Sequence, residues 1–331
     1  MKAGTDFSSA ADPLTGAPMT RVGFAATCAM AMSRFRGDPG VVLQTSSGSS
    51  GPALVLPRRA ADVANTFSRV ARHYVARFGE APRRVALIGG ISHQATSEGV
   101  DLAGIAIRSF DPEDREGLEG FSPDAISIYP NLMRRLLADD IENLTDLRAI
   151  KLGGERVFPS DVARISAMGR DLQILEQFGS TEMPAVALRD HCGGRFCKKF
   201  SLSLDRFTFA GASDDGWRPL IVRDNFDGLL ADPGGYYDTG DEALWQNGSV
   251  IDIRRRGDPA NAFFEAAEML LDTGAVNVQF NNATEEVSVE SDVPQPASVE
   301  VGGRPYRVRT VERIVRAPSN KLPLLIDARR Q

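Results

Sequence analysis

The chain has 331 residues, of which 42% are hydrophobic and 25% are charged, so it is long enough for one large domain with a small one or for two domains of medium size. A net charge of −6 and a pI of about 5.3 argue against a nucleic-acid-binding protein, which normally presents a basic face. Three cysteines, an odd number, indicate a reducing compartment rather than a disulfide framework, and we predict a cytoplasmic protein that binds no membrane.

Helices and strands are predicted to alternate along the first part of the chain. Apolar residues at helical spacing predict helices at 59–78, 131–139 and 159–168. The run 22–32, apolar apart from Thr27, predicts a buried helix that is too short to span a bilayer. Short apolar runs predict strands at 40–44, 84–90, 105–107, 125–129, 147–152 and 172–178. This alternation is typical of an α/β fold with much parallel strand pairing.

The pattern changes from about residue 191. Alternating residues predict antiparallel strands at 199–204 and 206–209, and Asn247-Gly248 predicts a hairpin turn before a strand at 248–253. The charged segment 254–259, which also contains Gly and Pro, predicts the boundary between a large N-terminal α/β domain of mixed sheets and helices (1–256) and a small C-terminal α+β domain (257–331). In the small domain we predict a helix at 262–271, strands near 276–278 and 286–289, and a second helix before Pro318.

A loop of small residues follows the strand predicted at 40–44. Its exposed backbone amides and hydroxyls can hold a chain of phosphates. A Ser/Gly run is also typical of a flexible linker, so the rest of the chain must decide between the two. The residues predicted to hold phosphates are Thr45, Ser46, Ser47, Gly48, Ser49, Ser50 and Gly51.

Three more loops have the composition of a ligand site. In α/β sheets, ligands bind at the carboxyl ends of strands, where glycines let the backbone approach the ligand. The acids of these loops can serve a divalent metal or ribose hydroxyls, although each loop alone is also an ordinary turn or helix cap. The loops are Gly153-Gly154-Glu155, Phe178-Gly179-Ser180-Thr181-Glu182 and Tyr237-Asp238-Thr239-Gly240-Asp241.

In this order, the four loops resemble the motifs of the adenylate-forming superfamily, which contains acyl-CoA synthetases, peptide-synthetase adenylation domains and luciferases. The phenylacetate-CoA ligase-like branch is the most similar. The resemblance implies that the Ser/Gly loop holds the β- and γ-phosphates of ATP and that the loop 153–155 flanks the adenine. It further implies that Thr181 contacts the α-phosphate, that Glu182 binds Mg²⁺ and that Asp241 binds the ribose.

Two C-terminal segments complete the resemblance. Arg256-Gly257-Asp258 is similar to the family's hinge between the two domains, with Asp258 as its pivot, and the segment 316–322 is similar to the motif that carries the adenylation lysine, here Lys321. The implied reaction activates a small carboxylic acid as an acyl-adenylate with release of pyrophosphate. The acyl group then passes to a thiol of coenzyme A or of a carrier-protein phosphopantetheine.

The residue types suit this chemistry, because joining two anions requires positive charge and a fixed line of attack. A lysine, a point charge with rotating donors, can bridge a carboxylate and a phosphate. Two departures from the family stand out. The phosphate loop has no lysine after Pro52, for which Arg58 or Arg59 could substitute, and the segment before the loop is shorter than in the family.

Other functions therefore stay open. A degenerate member could bind a nucleotide or acyl group without turnover and serve as an assembly partner. A nucleotidyl transferase acting on a non-carboxylate acceptor is a third hypothesis, because the loops described above identify a nucleotide more directly than they identify its acceptor.

Four more residues have a candidate role. His93 resembles the family's gate between acyl pocket and thiol tunnel, although a lone histidine at a strand end is more often an ordinary hydrogen-bonded loop residue. Tyr129 is predicted to lie near the acyl pocket. Cys192 and Cys197, beside His191, could bind structural zinc, as in some phenylacetate-CoA ligase-like proteins. The sequence shows no complete set of four ligands, so we predict no structural zinc.

Overall fold

The structure is a computed structural model, and it describes residues 11–12, 17–32, 34–35, 37–46, 54–89, 104–138, 141–191, 195–211, 215–226 and 235–326. The described α-helices are α1 (Arg21–Met32), α2 (Ala60–Phe78), α3 (Arg115–Phe121), α4 (Pro130–Ala138), α5 (Pro159–Ala167) and α6 (Phe264–Asp272), and Ile141–Asn143 and Pro259–Phe263 are short 3₁₀ helices. None of the helices in these ranges is long and apolar enough to cross a membrane.

The strands of the described residues form four sheets. In chain order they are β1 (Ala11–Asp12), β2 (Val41–Thr45), β3 (Val55–Arg59), β4 (Arg84–Ile88), β5 (Ala106–Phe110), β6 (Ala125–Ile128), β7 (Ala149–Gly153), β8 (Gln173–Phe178), β9 (Ala187–His191), β10 (Ser201–Leu202), β11 (Phe207–Ala210), β12 (Gly216–Asp224), β13 (Tyr237–Gln246), β14 (Ser249–Arg255), β15 (Asn277–Asn281), β16 (Glu286–Glu290), β17 (Ser298–Val301), β18 (Arg304–Val311) and β19 (Leu325–Ile326).

The largest sheet has seven strands in the order β10-β9-β8-β7-β6-β4-β5. Neighbouring strands among β4 to β8 pair in parallel. Strand β9 pairs antiparallel with both of its neighbours, β8 and β10. Side chains alternate between the two faces of a strand. Ile126, Ile150 and Ile174, which are neighbours in register, pack into the buried core that also contains α4 and α5 residues. The opposite face lies towards α2, and residues of both line one cavity.

Two smaller sheets flank this one. The sheet β1-β11-β12-β13-β14 forms a second core with α1, in which the rings of Phe24 and Tyr237 lie 5.4 Å apart. The sheet β17-β18-β16-β15-β19 packs with α6 into a third core that also includes Phe158, the residue before α5. Strands β2 and β3 form a separate hairpin.

The C-terminal part contacts the rest of the chain through polar side chains as well as through Phe158. Ser160 of α5 donates hydrogen bonds from its amide and its hydroxyl to the Glu268 carboxylate, both at 2.9 Å. Arg135 of α4 lies 3.4 Å from the Glu290 carboxylate. The predicted division of the chain into domains at residue 257 stays a prediction.

Most predicted elements are present, and two predictions are wrong. The helix at 22–32 forms but is not buried on all sides, because Val22 and Met30 of α1 are 82% and 65% exposed while Phe24 and Cys28 are buried. The stretch before Pro318 contains no described helix and instead includes β17 and β18. In β18, Tyr306 is buried between the more exposed Pro305 and Arg307, which is the alternation of a strand.

Candidate functional site

The carboxyl ends of β6, β7 and β8 lie side by side and carry the candidate residues that the sequence placed after strands. Gly153 pairs in register with Gln177, the residue before Phe178, so the loops 153–155 and 178–182 begin at the same edge of the sheet. Tyr129, directly after β6, is fully buried at this edge. Three segments that are far apart in the sequence therefore meet at one edge of the sheet.

Gly154 has a backbone conformation that favours glycine, with φ at +80°. A Cβ atom at this position would lie 2.6 Å from a ring carbon of Tyr129 and 3.5 Å from Cε of Lys321. The bare backbone of Gly154 thus lets the tyrosine ring and the lysine side chain approach the loop together.

Lys321 reaches the same edge from the C-terminal segment. Its ammonium lies 5.5 Å from the centre of the Tyr129 ring, and its side chain lines one cavity with Gly153 and Thr181. Burial lowers the pKa of Lys321, while the charges of Glu155 and Glu182 act in the opposite direction. These two carboxylates favour the charged form of the lysine, which is the form that can bind anions.

Glu155 holds the lysine-bearing segment in place. Its carboxylate accepts hydrogen bonds from the Asn131 side chain and from the Leu322 amide, both at 2.7 Å. Asn131 also donates to the Asn320 carbonyl at 3.1 Å. Burial raises the pKa of Glu155, and the bonds from Leu322 and Asn131 oppose this rise. The residues on both sides of Lys321 are therefore bonded to the loop that follows β7 and to the helix that follows Tyr129.

For the reaction that the sequence resemblance implies, we expect Gly154→Ala to reduce turnover by about 100-fold, because displacing Tyr129 or Lys321 by about 1 Å disturbs their alignment. Backbone strain alone is controlled by Gly169→Ala, since Gly169 has φ at +68° and no atom within 4 Å of an added Cβ. Pyrophosphate exchange by the two purified variants checks this. Equal losses in both would show that strain, and not crowding at residue 154, is responsible.

Arg58 fixes the backbone of the loop after β8. Its guanidinium donates to the carbonyl oxygens of Thr181 at 2.7 Å and of Glu182 at 2.6 Å, and it pairs with Asp62. Arg58 is fully buried, so the suggestion that it replaces a phosphate-binding lysine is wrong. Arg59 pairs with Val41 at the end of the β2–β3 hairpin away from the Ser/Gly loop, and it does not fit that role either.

Arg21, at the start of α1, connects the Ser/Gly loop with Glu182. Its guanidinium lies 3.1 Å from a Glu182 carboxylate oxygen and 3.4 Å from the Ser46 hydroxyl. The backbone of Met19 bonds to Tyr236 and to Asp238, which places the start of α1 beside β13. This arginine was not predicted as a site residue, because no local pattern in the sequence brings it to the loop.

Asp241 lies on β13 among charged residues. Its carboxylate is 3.3 Å from the Arg255 guanidinium, and burial raises its pKa to about 6 against the effect of that arginine. The neighbouring Asp238 pairs with Arg256 at 2.6 Å. Burial raises the pKa of Tyr237, and the charges of Glu182 and Asp241 raise it further, so both acids lie near this tyrosine.

The remaining candidate residues have the following places. Thr45 ends β2, and Ser46 closes the hairpin with Leu54 through two hydrogen bonds of 2.8 Å. Ser180 accepts a bond from the Met183 amide and lines the cavity. Asp258 accepts a bond of 3.0 Å from the Ala260 amide and begins a 3₁₀ helix, after Gly257 with φ at +65°. Ser47 to Gly51, His93 and Cys192 lie outside the described residues.

Cys197, the second cysteine of the zinc hypothesis, has a free thiol. Its backbone amide donates a hydrogen bond to Nδ1 of His191. Within the described ranges, no three His, Cys, Asp or Glu side chains are grouped so that they could hold a metal ion.

The fold is that of known enzymes. The anthranilate CoA ligase AuaEII in complex with anthranoyl-AMP matches with a TM-score of 0.61 and 12% identity over 85% of this chain. The O-succinylbenzoate coenzyme A synthetase from Bacillus subtilis, in complex with ATP and magnesium, matches with a TM-score of 0.53 and 15% identity over 85%, and the ATP-bound RpMatB-BxBclM chimera B3 with 0.56 and 15% over 84%. The chain has the adenylate-forming enzyme fold.

This finding confirms the predicted fold class. The chain spans 64% to 68% of the length of these three structures. Neither a protein-family profile nor a curated protein matches the sequence. The similarity to the phenylacetate-CoA ligase-like branch stays a prediction.

Proposed function

We propose that the protein is an ATP-dependent ligase that activates a small carboxylic acid as an acyl-adenylate and releases pyrophosphate. The observation that carries the proposal is the position of Lys321. This lysine lies in one cavity with Gly153 and Thr181, although these residues are far apart in the sequence. An adenylate-forming site needs this convergence, because the acid and the α-phosphate must both meet a positive charge.

In this function, Lys321 donates hydrogen bonds to the acid and to the α-phosphate at once. Its flexible stem and rotating donors suit two anionic partners, and its neighbours Glu155 and Glu182 favour its charged form against the effect of burial. Thr181 contributes its hydroxyl near the same phosphate. The loop at Gly154, against which the Tyr129 ring packs, flanks the adenine, and Asp241 accepts hydrogen bonds from the ribose hydroxyls.

Arg21 is the cation that we assign to the Ser/Gly loop in place of the missing lysine. It contacts Ser46, the last described residue before the rest of this loop, and its guanidinium is therefore placed to bind phosphates that the loop amides hold. Arg21 also neutralises Glu182, so both charges are held at the site before a nucleotide arrives. Arg58 holds the backbone at Glu182 in position by donating a hydrogen bond to its carbonyl oxygen.

A magnesium ion fits this donor set. Mg²⁺ is usually bound by one or two carboxylates together with substrate phosphates and water. Glu182 is 1% exposed, and its carboxylate oxygen that lies 3.1 Å from the Arg21 guanidinium accepts no hydrogen bond from the described residues. When bound, the ion neutralises phosphate charge. Glu182 would hold it, and Arg21 orients the same carboxylate.

Acyl transfer to a thiol is the second step that we assign. The acceptor is coenzyme A or a carrier-protein phosphopantetheine, and the small C-terminal part would turn about Gly257 and Asp258 to admit it. The positive φ of Gly257 supports this place for a hinge, since a glycine there adopts other conformations at little cost. The cytoplasmic location stays a prediction.

The test is a pyrophosphate-exchange assay of the full chain with ATP, magnesium and a panel of amino, aryl and aliphatic acids. Exchange that depends on an acid, with a hydroxylamine-trapped hydroxamate as product, supports the proposal. ATP binding without exchange for any acid would favour the non-catalytic alternative. A nucleotide adduct that is stable to hydroxylamine would favour transfer to a non-carboxylate acceptor.

The pKa of Asp241, raised to about 6, predicts pH-dependent nucleotide binding. Below this pH the folded protein protonates the carboxylate and weakens it as an acceptor for ribose hydroxyls. We expect the affinity advantage of wild type over Asp241→Asn to fall by about tenfold between about pH 7 and about pH 5. Taking the ratio of the two proteins' affinities cancels the effect of the nucleotide's own ionisation.

The raised pKa of Asp241 also makes the free energy of unfolding depend on pH. The folded state binds the proton more tightly than the unfolded chain, so Asp241 lowers stability as the pH rises from 3.8 to about 6. Calorimetric titration of both proteins with ATP between about pH 7 and about pH 5 checks the binding prediction. A constant ratio of the wild-type and Asp241→Asn affinities would exclude Asp241 from the ribose site.

A further inference from the structure

The cavity that contains Lys321 continues between α2 and the seven-stranded sheet and has a volume of about 280 Å³. This is close to the lower end of the range of about 300–1,000 Å³ that is usual for small-molecule sites, so the cavity suits a small acid. Its roof is apolar, with Val63, Phe67 and Val70 of α2. Its floor is formed by the sheet face opposite the isoleucine core and carries polar side chains.

Lys151 is the lysine of this floor. It lies in the middle of β7, and its ammonium donates to the Gln177 side chain at 3.2 Å. None of the described residues that line the cavity is an aspartate or a glutamate. Burial alone lowers the pKa of Lys151 to about 8, without an opposing carboxylate. A lysine withdrawn from water is normally paired with an acid, whereas this half-buried lysine has a neutral amide as its hydrogen-bond partner among the described residues.

Ser127 lies next to Lys151 and gives an independent indication. The two residues are neighbours in register on β6 and β7, and Ser127 is 5% exposed. Its hydroxyl lines the cavity and has no hydrogen-bond partner among the described residues. Buried polar groups in native proteins are nearly always satisfied, so an unsatisfied hydroxyl on a cavity floor indicates a ligand atom.

The Lys151 ammonium and the Ser127 hydroxyl can both donate a hydrogen bond to the same kind of partner, an anionic acceptor. A carboxylate supplies a negative charge and two oxygens with about four acceptor sites, enough for both groups. A neutral hydroxyl or amide of a ligand could satisfy Ser127 but would leave the lysine charge uncompensated.

We propose that the cavity binds a dicarboxylic acid, whose distal carboxylate accepts hydrogen bonds from Lys151 and Ser127 while its reacting carboxylate faces Lys321. The proposal rests on the proposed function, because it assigns the far end of the same substrate. Lys321 stands at the rim over Gly154, whereas Lys151 belongs to the strand two residues before Gly153, about 7 Å along the chain. One lysine is thus available for each carboxylate.

The test compares short aliphatic and aromatic dicarboxylic acids with their half-amides, in which the distal carboxylate is neutral but of similar size. Pyrophosphate exchange and calorimetric binding are measured for wild type, Lys151→Met and Ser127→Ala, with Lys199→Met as the same change at an exposed lysine. We expect wild type to prefer a dicarboxylic acid over its half-amide by at least about 100-fold in kcat/KM. Lys151→Met should lose this preference, and Ser127→Ala should reduce it by about tenfold.

Two results would overturn the proposal while leaving carboxylate activation intact. One is equal use of dicarboxylic acids and half-amides by wild type, and the other is an unchanged preference in Lys151→Met. If no acid supports exchange, the proposed function fails. Calorimetric binding of a dicarboxylic acid then tests on its own whether Lys151 binds a carboxylate. Binding of a dicarboxylic acid that Lys151→Met abolishes then supports the assignment, and binding that is equal in the two proteins, or absent from both, refutes it.

Discussion

Lys321→Ala is expected to reduce acid-dependent pyrophosphate exchange by about 100- to 1,000-fold, the usual effect of removing one donor that stabilises developing charge. ATP binding should change little, because the base, ribose and outer phosphates are assigned to residues of other segments. The lysine is half-buried in the cavity with Gly153 and Thr181, so its truncation removes a positive charge from this edge of the sheet.

The matched control is Lys199→Ala, which removes an exposed lysine from the same chain. Exchange rates and calorimetric ATP affinities of both variants separate catalysis from binding. If Lys321→Ala retained exchange within about threefold of wild type, the assignment of the adenylation lysine would be wrong even with a correct fold.

Asp62→Asn is expected to lower the free energy of unfolding by about 3–5 kcal/mol, because it removes one member of a buried charge cluster. Asp62 is completely buried, pairs with Arg58 and lies 2.8 Å from the guanidinium of Arg206. Arg206 also pairs with Asp224 at 2.5 Å. Neutralising Asp62 leaves two buried guanidinium groups facing one remaining carboxylate.

Urea unfolding of the variant measures this loss, with Asp171→Asn as the control. Asp171 also pairs with an arginine, Arg77, but is 84% exposed, and such pairs contribute about 1 kcal/mol or less. Similar losses in the two variants would mean that the cluster does not behave as a buried one. Since Arg58 holds the Thr181 and Glu182 carbonyls, we also expect weaker exchange in Asp62→Asn.

The sequence predicted those parts of the fold that depend on local patterns. The turn at Asn247 and Gly248 needs positive φ at both residues, and the structure has +49° and +67° there. Helix α2 ends at Gly79, a left-handed residue, where the sequence placed its end. The order of the loops along the chain was sufficient to predict the adenylate-forming fold.

Tertiary partners determine what the sequence could not show. The arginine at residue 58 could be a phosphate ligand until Asp62 and the carbonyls of residues 181 and 182 are seen around it. Lys151 belongs to a correctly predicted strand, but its cavity exists only because α2 covers that face of the sheet. The role of Arg21 depends on Glu182, which is 161 positions further along the chain and meets it only in the folded protein.

The bonds of Glu155 have an energetic consequence for the nucleotide. One carboxylate accepts the Leu322 amide from the C-terminal segment and belongs to the loop assigned to the adenine. Coupling between two binding equilibria is reciprocal. If docking of the C-terminal segment strengthens nucleotide binding, the nucleotide therefore strengthens docking of that segment by the same free energy. Occupancy by ATP and closure of the tail should therefore saturate together, with a single shared concentration dependence.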